Sequence, residues 1–203
     1  MDTHKTRRHL INIMQRAHSH GWTLGTGGNF SAVLQRDPLR LLMAPSSVDK
    51  GAVIAEDLIV IDPQGNVVEG DGKASAETAL HIAIVLYAGA GAVLHTHSPY
   101  ATILSRHFAN QGCIAWEGYE MQKGIAGVNT HDTQLELPVI PNTQDMISLG
   151  QDVIDACPMW PYGILLAGHG LYTWGDSLFE AKRHLEIYEF LLHVKYLEII
   201  GNR

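Results

Sequence analysis

Leu58-Ile59-Val60-Ile61-Asp62-Pro63-Gln64-Gly65-Asn66-Val67-Val68-Glu69 is the stretch whose reading decides the fold. Two β-branched runs flank Asp62-Pro63-Gln64-Gly65. Proline presets the φ of a turn and glycine accepts the φ that side chains avoid, so the segment reads as a hairpin. Upstream, a strand closing at Leu34 and another over Leu39–Ala44 flank Asp37-Pro38, a second hairpin that Pro45-Ser46-Ser47 ends. Before these lies a helix over residues 4–20, with Leu10, Ile13, Met14 and Ala17 at helical spacing and Gly21 as its stop. The turn Gly25-Thr26-Gly27-Gly28-Asn29 leads from helix to strand.

Downstream, Ser75 is expected to cap a helix running to Tyr87, with Glu77 in its first turn. Ala92–His97 reads as a strand, and Ser98-Pro99 opens a helix with a cap residue followed by proline. Residues 110–134 carry no clear pattern. Leu135–Ile140 is an expected strand, Thr143–Ala156 a helix, and Ile164–Ala167 and Leu171–Trp174 are strands around Gly168-His169-Gly170. Ser177-Leu178-Phe179-Glu180 is a capping box opening a helix to about Ile200, ended by Gly201. Hairpins interleaved with helices, without strict βαβ alternation, predict a mostly antiparallel sheet covered by helices.

The 203 residues fit one domain, residues 1–203, with a full core; no repeat or linker interrupts them. An apolar share of 46% and a charged share of 17% exclude a disordered chain. The formal charge of −7, with no Lys/Arg run, argues against nucleic acid as a partner. Two cysteines, Cys113 and Cys157, make no disulfide framework, and the start lacks an apolar leader. No stretch approaches the roughly 18 apolar residues of a membrane span. These features lead to the expectation of a cytoplasmic protein.

Val93-Leu94-His95-Thr96-His97 carries the sharpest chemical signal. Residues two apart on a strand project from one face, so both imidazoles could converge on one ion. Two polar residues at a strand end would read the same way. His169 between two glycines adds a third nitrogen where bulk is absent, although taken alone the motif reads rather as a hairpin turn with an exposed histidine. His81 reads as a helix residue satisfied in place, with a place near the site as the lesser alternative, and His184 as solvent-facing. Three stretches offer donors to an anion: Gly27-Gly28-Asn29, Ser46-Ser47 with Lys50, and Ser75. No P-loop or dinucleotide fingerprint is present, so nucleotides are disfavoured.

Five motifs, in order, connect these pieces: Gly27-Gly28-Asn29-Phe30-Ser31, Ala44-Pro45-Ser46-Ser47 to Lys50, Lys73-Ala74-Ser75-Ala76-Glu77, His95-Thr96-His97, and Gly168-His169-Gly170. With them the chain resembles the class II aldolase/adducin-head family over nearly its whole length. The segment Glu120-Met121-Gln122-Lys123-Gly124-Ile125 and the run Gly170–Gly175 are similar to the family's methionine-salvage dehydratase branch. The resemblance implies a three-layer α/β/α sandwich. It further implies one Zn2+, or another divalent metal, on His95, His97 and His169, and commonly a tetramer with sites near subunit interfaces.

The resemblance also implies a sugar-phosphate substrate whose phosphate is held by Gly28, Asn29, Ser46, Ser47, Lys50 and Ser75, with no membrane partner. Glu120 maps onto the branch's catalytic glutamate, and Glu77 sits where the aldolases keep their acid/base. Read from the residues alone, Glu120 is a solvated loop carboxylate and Glu77 a helix-dipole residue. Where aldolases carry Ser-Ser-Glu, this chain has Ser75-Ala76-Glu77, one hydroxyl fewer. The implied reaction removes water from a methylthio-ketose 1-phosphate. The alternatives are an aldolase or epimerase of short ketose phosphates and a non-catalytic adducin-like binding module. Met43, Trp116, Tyr119 and Trp160 could line a pocket for a methylthio group, or belong to the core.

Overall fold

The computed structural model describes residues 2–143, 145, 149–150, 153 and 162–201. Its strands are β1 (Asn29–Arg36), β2 (Leu39–Met43), β3 (Ile59–Ile61), β4 (Val67–Glu69), β5 (Ala92–Thr96), β6 (Cys113–Trp116), β7 (Leu135–Ile140), β8 (Gly163–Leu166) and β9 (Gly170–Gly175). They form one nine-stranded sheet in the order β4-β3-β2-β1-β5-β9-β8-β7-β6. Every pairing is antiparallel except β7 with β8. The two expected hairpins form, and the β1–β2 turn contains a cis Asp37–Pro38 peptide bond. Residues 110–134 supply β6 and a 3₁₀ turn at Glu120–Gly124.

Helices cover the sheet, among them α1 (Thr3–Ser19), α2 (Thr78–Tyr87), α3 (Pro99–His107) and α4 (Leu178–Gly201). Asp2 caps α1 by accepting from the backbone N–H groups of His4 and Lys5, and Ser98 caps α3 from Ala101 at 3.1 Å. Ser177 does the same for α4, accepting from Glu180 N–H at 3.2 Å. The expected start of α2 is corrected. The Ser75 hydroxyl accepts from Glu77 N–H at 3.3 Å, and the Ser75 carbonyl from Thr78 N–H at 3.1 Å, so a serine turn replaces the first helical turn. The helix begins at Thr78 with Glu77 as its N-cap residue. The helix expected over Thr143–Ala156 lies mostly outside the described residues, as do Cys157 and Trp160.

Strand alternation sorts the core into two layers, giving the α/β/α sandwich. Phe30, Ala32, Leu94 and Leu171 face a cluster built by α1, α3 and α4. Val33, Val93, Ile164 and Tyr172 face one built by α2 with Leu149 and Val153. His184 is buried, correcting the solvent-facing expectation: Nδ1 donates to the Trp174 carbonyl at 2.7 Å and Nε2 accepts from Ala126 N–H. Met43 and Trp116 are core residues, and Tyr119 is half-buried with its hydroxyl on Glu198. No helix among the described residues is long and apolar enough to cross a membrane.

Candidate metal centre and active site

β5 lies between β1 and β9, in the interior of the sheet. Its register sets Asn29 opposite His95 on one side and Tyr172 opposite His95 on the other. All three side chains therefore project toward the α2 layer. His97 follows one residue past the strand, and His169 occupies the tight turn from β8 into β9. That turn can lie against β5 because Gly170 has no side chain; a Cβ there would collide with the Thr96 carbonyl oxygen. Gly28 serves a similar purpose from β1. Its φ is +78°, and a Cβ would stand 2.7 Å from the His95 carbonyl oxygen.

Glu77, His95, His97 and His169 each point one ligand atom inward, all within 4.8 Å of one another. His95 Nε2 is 2.7 Å from His97 Nε2 and 3.3 Å from His169 Nε2. Glu77 places Oε1 2.9 Å from His169 Nε2 and Oε2 3.7 Å from His95 Nε2. Two ligands of a tetrahedral zinc at about 2.0–2.1 Å lie roughly 3.4 Å apart, within the range of these spacings. The outer bonds fit a cation too. His95 Nδ1 faces the Leu171 carbonyl at 3.0 Å and His169 Nδ1 faces Asn142 Oδ1 at 3.3 Å. The Leu171 carbonyl only accepts, so His95 Nδ1 carries the proton and its Nε2 turns a lone pair inward. Such a set of donors needs a positive charge between them.

Protonation states suit the same purpose. Burial lowers the pKa of His97 and drives that of His95 well below the imidazole range, which keeps both rings neutral at pH 7. Burial pushes Glu77 upward, but the His169 hydrogen bond and the charges of His95, His169 and His81 outweigh it and bring its pKa to about 2. Tyr172 stacks on His95 with ring centroids 3.9 Å apart, and burial followed by the Glu77 charge raises its hydroxyl pKa well above the phenol value. Its place in the site follows from the register of β5 with β9 and had no signal of its own. His81 is a buried residue of α2, with Nδ1 2.8 Å from the Ser31 hydroxyl and Nε2 without a hydrogen-bond partner among the described residues, so one of its two nitrogens is satisfied. Its pKa falls to about 4, chiefly through burial and against the pull of Glu77.

The three anion-donor stretches, far apart in sequence, meet around Glu77. Asn29 Nδ2 donates to Glu77 Oε2, and Ser75 bonds the Glu77 backbone. Ser46 N–H donates to the Lys73 carbonyl at 2.8 Å, and Ser47 takes a φ of 65° beside it. The Lys50 ammonium is buried and donates to the carbonyls of Thr26 at 2.9 Å and Val48 at 3.0 Å, tying the glycine turn to the serine turn. Burial lowers its pKa, opposed by Asp49 and Glu77. Glu120 lies apart from this cluster. Its carboxylate is exposed, paired with Lys123 and 3.7 Å from His131 Nδ1.

The family model for the class II aldolase and adducin N-terminal domain matches residues 8–196. Methylthioribulose-1-phosphate dehydratase of Xanthomonas euvesicatoria pv. vesicatoria (strain 85-10) is 44% identical over 200 residues, covering 96% of this chain and 90% of that protein. The crystal structure of YgbL from Klebsiella pneumoniae is similar with a TM-score of 0.77 and 28% identity, over 100% of this chain and 93% of that one. L-fuculose-1-phosphate aldolase from Thermus thermophilus gives a TM-score of 0.80 and 21% identity over 98% of both chains, a likeness of fold.

Proposed function

The chain belongs to the class II aldolase and adducin N-terminal domain family, and from that premise we propose that it is a zinc-dependent hydro-lyase of methionine salvage. It converts 5-methylthioribulose 1-phosphate to 2,3-diketo-5-methylthiopentyl 1-phosphate with loss of water. It acts as one domain over residues 1–203, in the cytoplasm, as a homotetramer. The observation that carries the reading is the convergence of three imidazoles and a carboxylate on one point, in a chain 44% identical to a protein of that name.

His95, His97 and His169 would hold the metal, with Glu77 beside them. A divalent ion held there would supply a Lewis acid to the substrate ketone. The remaining work belongs to side chains. Asn29, Ser46, Ser47 and Ser75, with the backbone of Gly28, form the phosphate cradle, and Lys50 fixes two of its turns against each other. Elimination takes the proton from C3, breaks the C4–O bond and releases that oxygen as water once it has been protonated. The enol left behind ketonises at C3 as C4 takes up a proton. We assign proton transfer to Glu120, whose segment is similar to the one carrying the dehydratase branch's glutamate, and a metal-side role to Glu77, whose Oε1 stands 2.9 Å from His169 Nε2.

The test is turnover by the zinc-loaded protein. Loss of 18 mass units from 5-methylthioribulose 1-phosphate supports the reading. Inertness toward it, with release of dihydroxyacetone phosphate from fuculose 1-phosphate, would replace it with an aldolase. Glu120→Gln is expected to lower kcat by about 100-fold or more with zinc content intact, and Glu77→Gln to weaken zinc binding as well. If Glu120→Gln turns over at the wild-type rate, the assignment of Glu120 fails.

A further inference from the structure

Thr96 stands between two of the candidate ligands and faces the opposite way. His95 turns toward the α2 layer, so the intervening side chain enters the α4 layer. There its hydroxyl donates to Glu189 Oε1 at 2.8 Å, with both residues buried. Glu189 sits in the middle of α4 between Tyr188 and the core residues Leu191 and Leu192. Its Oε2 has no hydrogen-bond partner among the described residues. Ser98, whose hydroxyl caps α3, lies beside the same carboxyl; burial raises the carboxyl pKa, and Ser98 and Thr96 pull against it, leaving it at about 7.

A carboxyl in such a place is costly, because desolvation opposes its charge and only one oxygen is satisfied. A leucine would pack here at lower cost. The acid does nothing for the sheet that β1 and β9 do not already do by pairing with β5. The end of β5 is tethered lightly: Thr96 is the last paired residue, and past it the His97 N–H is held by the Trp22 carbonyl at 2.8 Å. We propose that Glu189 is a positioning residue for the metal centre, anchoring the His95-Thr96-His97 strand end to α4 through the Thr96 hydroxyl. The anchor fixes the rotation of the strand at Thr96, and with it the angle at which the two imidazoles on either side converge.

This inference rests on the metal-site reading, and the test separates the two. Metal-free protein is titrated with Zn2+ against a chromophoric chelator, with circular dichroism as the check on folding. Thr96→Val and Glu189→Leu are each expected to weaken zinc binding by about 10- to 100-fold, the usual range for groups that orient ligands. The double variant should lose no more than about threefold beyond either one, because both remove the same bond. Glu189→Gln keeps an acceptor oxygen for Thr96 and should bind zinc within about threefold of wild type. Wild-type protein that takes up no zinc overturns the metal reading and this inference with it. Wild-type-like affinity in Thr96→Val, multiplying losses in the double variant, or a Glu189→Gln loss equal to that of Glu189→Leu overturns the inference alone. If Glu189→Leu does not fold, Thr96→Val and Glu189→Gln decide it, expected weak and tight respectively.

Discussion

The two faces of the sheet are made by the same strands and have opposite chemistry. Toward α2, the central strands present Asn29, Ser31, His95 and Tyr172, met by Glu77 and His81. Toward α1 and α4 they present Phe30, Ala32, Leu94 and Leu171, and the apolar layer is broken by the Thr96–Glu189 pair. Because side chains alternate, one strand builds a ligand set and a core at once, and a register slip of one residue would exchange them. The site is therefore specified by register more than by any single residue.

That contrast is tested most severely on the polar face. His97→Ala, which removes a nitrogen without touching the apolar layer, should lower zinc affinity at least about 1000-fold, about 4 kcal/mol, while the thermal midpoint of the metal-free protein stays near wild type. Equal zinc content in the variant would place the metal elsewhere.

On the apolar face the sharpest probe is pH. Glu189 has a folded pKa of about 7, above its unfolded value. It binds its proton more tightly folded, so the stability it contributes is present at low pH and is lost as pH rises from the unfolded pKa to about 7. Glu189→Gln should abolish a loss of about 3 kcal/mol over that interval, read as the difference between wild-type and variant urea midpoints. Parallel pH curves for the two proteins would show that the carboxyl titrates normally.

Two smaller effects bear on how the faces are joined. Gly28→Ala should cost about 2 kcal/mol, since it adds a Cβ at positive φ against the His95 carbonyl, and it should weaken zinc binding along with stability. Stability lost without any change in zinc affinity would separate the glycine turn from the metal centre. Ser31→Ala leaves His81 Nδ1 without its partner and should cost about 1 kcal/mol, with zinc affinity unchanged.

Much of the fold could be read in advance because its signals are local. The turns at Asp37-Pro38 and Asp62-Pro63-Gln64-Gly65, the caps at Ser98 and Ser177, and the strand holding His95 all depend on neighbours in sequence. The start of α2 was not legible, because Ser75 chooses a serine turn when Lys73 is drawn to Ser46. His184 was misplaced because its burial depends on a sheet that single residues do not announce. Glu77 had a motif around it but no sequence signal that it would touch His169. Glu189 could have been found: it lies four residues after Leu185 and three before Leu192, on the apolar stripe of α4.

The sheet's outer strands carry one more consequence. β4 has three residues and β6 four, and Glu69 at the end of β4 is taken by Arg7 of α1. A nine-stranded sheet would otherwise expose long rows of unpaired amides to any passing chain. Ending it on such short, partly guarded edges leaves little template for runaway strand addition. A second chain approaching either edge would find only three or four residues to pair with.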